Sequence, residues 1–150
     1  MIKLLRTNSK NNDFIELVTQ LDKDLAISDG DDHDFYHQFN GIDTLNHTIV
    51  AYYNDAPVAC GAIKQFDDAS VEIKRMYTLP NVRGKGIATK ILNELELWAT
   101  DLGYKKCVLE TGKKQPKAIS LYKKTGYVVT PNYGQYAGIE NSVCFEKLLH

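Results

Sequence analysis

Arg83-Gly84-Lys85-Gly86-Ile87-Ala88-Thr89 is the stretch on which the fold turns. Ahead of it, Val71-Glu72-Ile73-Lys74-Arg75-Met76-Tyr77-Thr78 alternates as a strand, and Pro80 ends that strand. Behind it, Ile87, Ile91, Leu95, Trp98 and Leu102 recur at spacings of three and four. That is the stripe of an amphipathic helix, and Gly103 stops it. The loop therefore opens a helix. The first turn of a helix has unpaired N–H groups and a positive dipole end. Glycine lets the backbone approach a bulky anion with no Cβ in the way. Arg83 and Lys85 add charge, so the stretch reads as an anion site for phosphate or pyrophosphate. The plainer reading is a tight strand-to-helix turn built on Gly84 and Gly86.

Working toward the N-terminus, Thr48–Tyr53 and Val58–Ile63 are β-rich runs separated by the turn residues Asn54-Asp55-Ala56-Pro57. They form a hairpin, and the Val71–Thr78 strand extends it into a meander. Ile2–Arg6 is a short first strand. Phe14, Leu17, Val18, Leu21 and Leu25 mark one face of a helix from Asp13 to Ile27, with Asp13 as its cap and Glu16 as capping-box partner. A polar, acidic loop from Ser28 to Asp34 leads into a short helix carrying Phe35, Tyr36 and Phe39. Toward the C-terminus, Lys106–Glu110 is a strand. Gln115 to Thr125 is a short helix with Pro116 in its first turn and Gly126 as its stop. Strands at Tyr127–Val129 and Ser142–Lys147 close the chain. The strand-loop-helix-strand unit is long enough for a parallel crossover. The fold class is α+β, a mixed and mostly antiparallel twisted sheet of about six to seven strands with helices on both faces.

Composition sets the outer limits. The 150 residues are 43% hydrophobic and 25% charged, enough for one domain over residues 1–150 with its own core. A net charge of -1 argues against nucleic-acid partners. Three Cys make a disulfide framework improbable. Cys60, Cys107 and Cys144 lie in strand-like apolar sequence and read as small buried hydrophobes. No run is apolar enough to span a membrane, and Met1–Arg6 lacks a signal-peptide pattern. The expectation is a cytoplasmic protein. His33 and His37 have helical metal-ligand spacing but no third ligand.

Two other phosphate loops fail. A P-loop needs a Gly-Lys-Ser or Gly-Lys-Thr ending that is missing here. A dinucleotide fingerprint needs a third Gly where Thr89 stands, although Glu110 sits where a ribose-binding acid would. The pattern that fits is an Arg or Gln, two residues, a Gly, one residue, and a Gly or Ala: Arg83, Gly86 and Ala88. Together with Glu72–Pro80 and Ala118-Ile119-Ser120-Leu121-Tyr122-Lys123-Lys124-Thr125-Gly126-Tyr127, this resembles the GCN5-related N-acetyltransferase (GNAT) superfamily. The resemblance covers nearly the whole chain.

The resemblance implies an acetyl-CoA co-substrate, no metal, and acetyl transfer to a primary amine by direct attack in a ternary complex. It implies that Arg83, Gly84, Lys85, Gly86, Ile87, Ala88 and Thr89 hold the pyrophosphate. Met76, Tyr77 and Thr78 would pair with the pantetheine arm as a strand would. The amide of Met76 or Tyr77 would polarise the acetyl carbonyl. Tyr122 falls on the general-acid tyrosine and Glu72 on a base position. Against these roles stand a core tyrosine and a carboxylate paired with Lys74. Lys114 and Lys117 fall near a 3′-phosphate contact, and Lys113, Lys114 and Gln115 replace an Asn common in relatives. The acceptor pocket would draw on Asp32, His33, Tyr36 and Tyr133, whose acids and aromatics suit a cationic small-molecule amine. A homodimer is common in similar proteins. The alternative is a non-catalytic acyl-CoA-binding or sensing domain of the same fold.

Overall fold

The computed structural model describes residues 1–29 and 45–150. The expected helix around Phe35, Tyr36 and Phe39, and the histidines His33 and His37, lie outside the described residues. The chain runs β1 (Ile2–Thr7), α1 (Asn12–Asp29), β2 (His47–Tyr53), β3 (Ala56–Gln65) and β4 (Ser70–Thr78). It continues as α2 (Ile87–Asp101), β5 (Lys106–Gly112), α3 (Pro116–Lys124), β6 (Val128–Thr130) and β7 (Ser142–Leu148). The seven strands form one sheet in the order β1-β2-β3-β4-β5-β7-β6. Among the described residues only β4 and β5 pair in parallel, joined by the crossover through α2. The mixed, mostly antiparallel sheet expected from the pattern is the one observed.

Helices cover both faces. On one, Ile87, Ile91, Leu92, Leu95 and Ala99 of α2 bury against Ile49, Ala59, Ile63, Ile73, Leu109 and Phe145. On the other, Phe14, Leu17 and Val18 of α1 bury against Val50, Cys60 and Ala62. Each such large side chain removed from water stabilises the fold by about 1.5–3 kcal/mol. All three cysteines are buried, as small hydrophobes would be. Among the described residues no helix is long and apolar enough to cross a membrane.

Several boundaries differ from the pattern. The cap of α1 is Asn11, whose Oδ1 accepts the Phe14 N–H at 3.0 Å. Asp13 instead accepts the Tyr52 hydroxyl at 2.6 Å, which pins α1 to β2. Leu102 is 44% exposed, because the buried stripe of α2 runs through Leu92 and Ala99. Pro57 belongs to β3 rather than to the turn, opposite Tyr52 and beside a register irregularity that absorbs its missing N–H. Asn54 and Asp55 alone make the hairpin turn, both at positive φ.

The feature that shapes the site is a bulge in β4. Cys60 pairs with Tyr77 and Ala62 with Lys74, so Gly61 faces both Arg75 and Met76. Arg75 takes φ 57°, the left-handed region that the first residue of one bulge type occupies. Gly61 leaves the room for this. A Cβ there would stand 2.5 Å from Met76 Sδ and 2.9 Å from Ile91 Cγ2. Gly61→Ala is therefore expected to lower stability by about 1–3 kcal/mol, read from urea unfolding. An unchanged midpoint would show that Met76 is not held against the bulge.

Candidate active site

The β4–β5 ladder holds only from Ser70–Lys106 to Glu72–Val108. Beyond it the two strands part, leaving strand-edge groups between them without a ladder partner. A groove of about 830 Å³ occupies this opening and runs over the start of α2. Its walls are Met76, Tyr77 and Thr78 from β4, the turn before α2, and Lys117, Ser120 and Leu121 from α3. Leu21, Asp24 and Leu25 of α1 close it from the side.

The turn itself is built for backbone exposure. Gly84 has φ 81° and Gly86, the residue capping α2, has φ 77°. Neither has an atom within 4 Å of where a Cβ would stand. No side chain caps the helix, and Lys90 N–H is the donor to Gly86 O at 3.1 Å. The first-turn amides thus face the groove mouth with the positive end of α2 behind them. Arg83 does not reach over the turn. Its Nε donates to Thr78 O at 2.8 Å and its guanidinium lies 3.8 Å from Asp24, tying the turn to β4 and α1.

A second, smaller space of about 170 Å³ lies inward. Glu72 and Lys74 from β4, Glu110 from β5 and Tyr136 from the β6–β7 connection line it. Glu72 is buried, and its Oε2 accepts the Tyr133 hydroxyl at 2.6 Å. Lys74 Nζ stands 3.7 Å from the other oxygen. Burial pulls the Lys74 ammonium below its ordinary value, against the opposing attraction of Glu72. Burial raises the Tyr133 phenol first, and the Glu72 charge and hydrogen bond raise it further. Tyr136 is raised by burial and then by Glu110 and Glu72. These phenols stay protonated donors facing carboxylates.

The groove and the inner space meet. Met76, Gln115, Ala118 and Tyr122 line both, as do Leu21 and Leu25. Tyr122 is buried between Tyr127 and Phe145, and burial raises its phenol above the ordinary value. Both a core tyrosine and a proton donor at the junction describe it. A groove with bare amides on one side, joined at a protonated phenol to a carboxylate-lined pocket, can hold an acyl donor against an acceptor.

Of the residues singled out by sequence, Met76, Tyr77, Thr78, Arg83, Gly84, Gly86, Ile87, Ala88 and Thr89 line the groove together. Lys85 does not, since its ammonium sits 5.3 Å over the Tyr53 ring. Glu72 and Tyr133 are brought into one hydrogen bond. Asp32, His33 and Tyr36 lie outside the described residues. Lys117 borders the groove and Lys114 does not. Leu21 and Leu25 were missed as lining, because a groove wall and a core face leave the same apolar spacing on a helix. Lys74 does stand beside Glu72, the pairing weighed from sequence, and Glu110, which the sequence offered only as a ribose-binding acid, lines the same space.

Comparison with known proteins gives a consistent result. The model of the acetyltransferase (GNAT) family matches residues 14–127. Over 102 residues the chain is 34% identical to an IAA acetyltransferase of Azospirillum brasilense, covering 67% of each chain. A candidate acyl-CoA N-acyltransferase from Klebsiella pneumoniae superposes with TM-score 0.83 at 26% identity, over 100% of this chain and 99% of that one. The PaiA N-acetyltransferase of Thermoplasma acidophilum, solved in complex with coenzyme A, superposes with TM-score 0.73 at 16% identity, over 99% of both chains.

Two measurements check the site's electrostatics. Tyr133→Phe removes a hydrogen bond to a carboxylate, so stability should fall by about 1.5–3 kcal/mol in urea unfolding. The raised phenols of Tyr122, Tyr133 and Tyr136 stay protonated in the folded chain, while unfolded ones ionise above the ordinary value of 10.0. Stability is therefore whole below pH 10.0 and lost as pH rises beyond it, on the order of 1 kcal/mol per pH unit for each phenol. Phenolate absorbance from these three should emerge only with unfolding. Reversible ionisation near pH 10.0 in the folded chain would contradict their burial.

Proposed function

Since the chain belongs to the acetyltransferase (GNAT) family, we propose that it moves an acetyl group from acetyl-CoA to the primary amine of a small molecule. The transfer is a direct attack with both substrates bound, in a single domain spanning residues 1–150. The observation that carries this reading is the junction at Met76 and Tyr122, where the long groove opens into the carboxylate-lined space.

The groove suits coenzyme A in three respects. The uncapped first turn of α2 offers amides to a pyrophosphate with no side chain to displace. The parted edge of β4 offers backbone partners to an amide-bearing arm, which then behaves as a short added strand. The volume accommodates an extended ligand. That a Thermoplasma protein of the same fold was solved with coenzyme A supports coenzyme A as the ligand.

The chain's residues then divide the work. The amide of Met76 or Tyr77 faces the acetyl carbonyl and stabilises the negative charge that develops on its oxygen. Glu72 Oε1 takes, through water, the proton that the ammonium must lose before its nitrogen can attack. Tyr133 holds the other oxygen of Glu72 and so aims the carboxylate. As the new C–N bond forms and the C–S bond breaks, Tyr122 gives its phenolic proton to the departing thiolate, and the second proton that the nitrogen sheds on becoming an amide restores the phenol. A protonated phenol suits that task, and the burial of Tyr122 keeps it protonated. The carboxylates Glu72 and Glu110 and the ring of Tyr136 favour a cationic acceptor by charge and by cation–π contact.

The test is release of free thiol from acetyl-CoA across a panel of amines. At least one small primary amine should provoke it. Tyr122→Phe should lower kcat by about 10²- to 10⁴-fold while leaving acetyl-CoA affinity within about threefold. Binding of acetyl-CoA with no release from any amine would instead make this a sensing domain.

A further inference from the structure

Arg75 combines a positive φ with a buried charge. Its φ is 57°, a region where glycine would sit without strain. Its side chain is 1% exposed, and Nη2 donates to Asp22 Oδ1 at 2.6 Å. Among the described residues Nε and Nη1 reach no hydrogen-bond acceptor. The backbone geometry of a bulge does not by itself call for an arginine. What an arginine adds is reach, from the bulge of β4 across to α1.

The far end of that reach matters. Asp22 follows Leu21 and precedes Leu25, and both leucines line the groove and the inner space. On the near side, Cys60 Sγ contacts the Arg75 carbonyl at 3.4 Å, which holds the following peptide from β3. That peptide carries the Met76 N–H. A left-handed residue turns the next peptide plane out of the regular pleat, so the conformation of Arg75 sets where this N–H points. A non-glycine residue keeps such a conformation only where its surroundings over-determine it.

We propose that Arg75 is a positioning residue: its ion pair with Asp22 latches the β4 bulge to α1 and so aims the Met76 amide at the acetyl carbonyl. The inference rests on the acetyl-transfer reading, since an aimed amide matters to catalysis only if a carbonyl lies against it. The latch joins the wall contributed by α1 to the strand that polarises the thioester.

Asp22 is the place to test it, because it sits on a partly exposed helix face, 37% exposed, where substitution leaves the core intact. Asp22→Ala opens the latch, Asp22→Asn keeps the shape without the charge, and Asp22→Glu returns a carboxylate. Two readouts are taken. Amide hydrogen exchange at Met76 and Tyr77, with no ligand present, should quicken in Asp22→Ala. In the thiol-release assay kcat should fall about tenfold or more, with the acetyl-CoA dissociation constant by calorimetry within about twofold. The melting temperature of Asp22→Ala falls as well, since the buried guanidinium loses its partner, and Asp22→Glu should restore melting temperature and kcat together. Asp22→Asn should lie between. The proposal is overturned if Asp22→Ala leaves both exchange and kcat unchanged. It is equally overturned if kcat, acetyl-CoA binding and melting temperature fall together with no recovery in Asp22→Glu. If the native chain releases no thiol with any amine, the acetyl-transfer reading fails, and the exchange measurement alone decides the latch.

Discussion

Backbone pairing between the first four strands and the last three rests on a parallel ladder running from Ser70–Lys106 to Glu72–Val108. Everything that resembles a site follows from where that ladder stops. Had β4 and β5 stayed paired to their ends, Met76, Tyr77 and Thr78 would face a neighbouring strand. Because they part, the same residues wall a groove. The bulge contributes to the departure: β3 spends one residue, Gly61, where β4 spends Arg75 and Met76. A bulge bends its strand and increases the local twist, which carries β4 away from β5.

The opening then collects chemistry from distant parts of the chain. The turn before α2 brings bare amides. α3 brings Tyr122 to the point where the groove meets the inner space. The β6–β7 connection brings Tyr133 to Glu72, sixty-one residues apart in sequence. Burial does the rest. It keeps phenols protonated and holds the Lys74 ammonium below its ordinary value beside Glu72. One low-dielectric pocket thus contains proton donors and proton acceptors that do not neutralise one another.

Much of this could be read from the amino acids because local chemistry wrote it there. Alternation marked Val71–Thr78, periodicity marked α2, and Gly84 with Gly86 marked the exposed turn between them. The meander and the parallel crossover also followed, since each has few alternatives, whereas the place of β7 between β5 and β6 did not. What could not be read was set by tertiary contact. Asp13 looked like a cap, but Tyr52 takes its carboxylate and Asn11 does the capping. Lys85 reads as a phosphate ligand by charge, and in the folded chain its ammonium rests over the ring of Tyr53. Nothing in the alternation of Val71–Thr78 singled out Arg75. Its φ of 57° and its bond to Asp22 exist only once β3 and α1 are in place.

The short ladder also gives the molecule a mechanical character. Two sheet halves joined by few rungs, and otherwise by side chains beneath α2, behave as the jaws of a clasp. Their angle is the coordinate with the fewest backbone bonds resisting it. On the proposed function, an extended guest with its own amides would supply the rungs that β4 and β5 lack. Occupancy and rigidity would then be one event, the guest serving for as long as it stays as an eighth strand of the sheet.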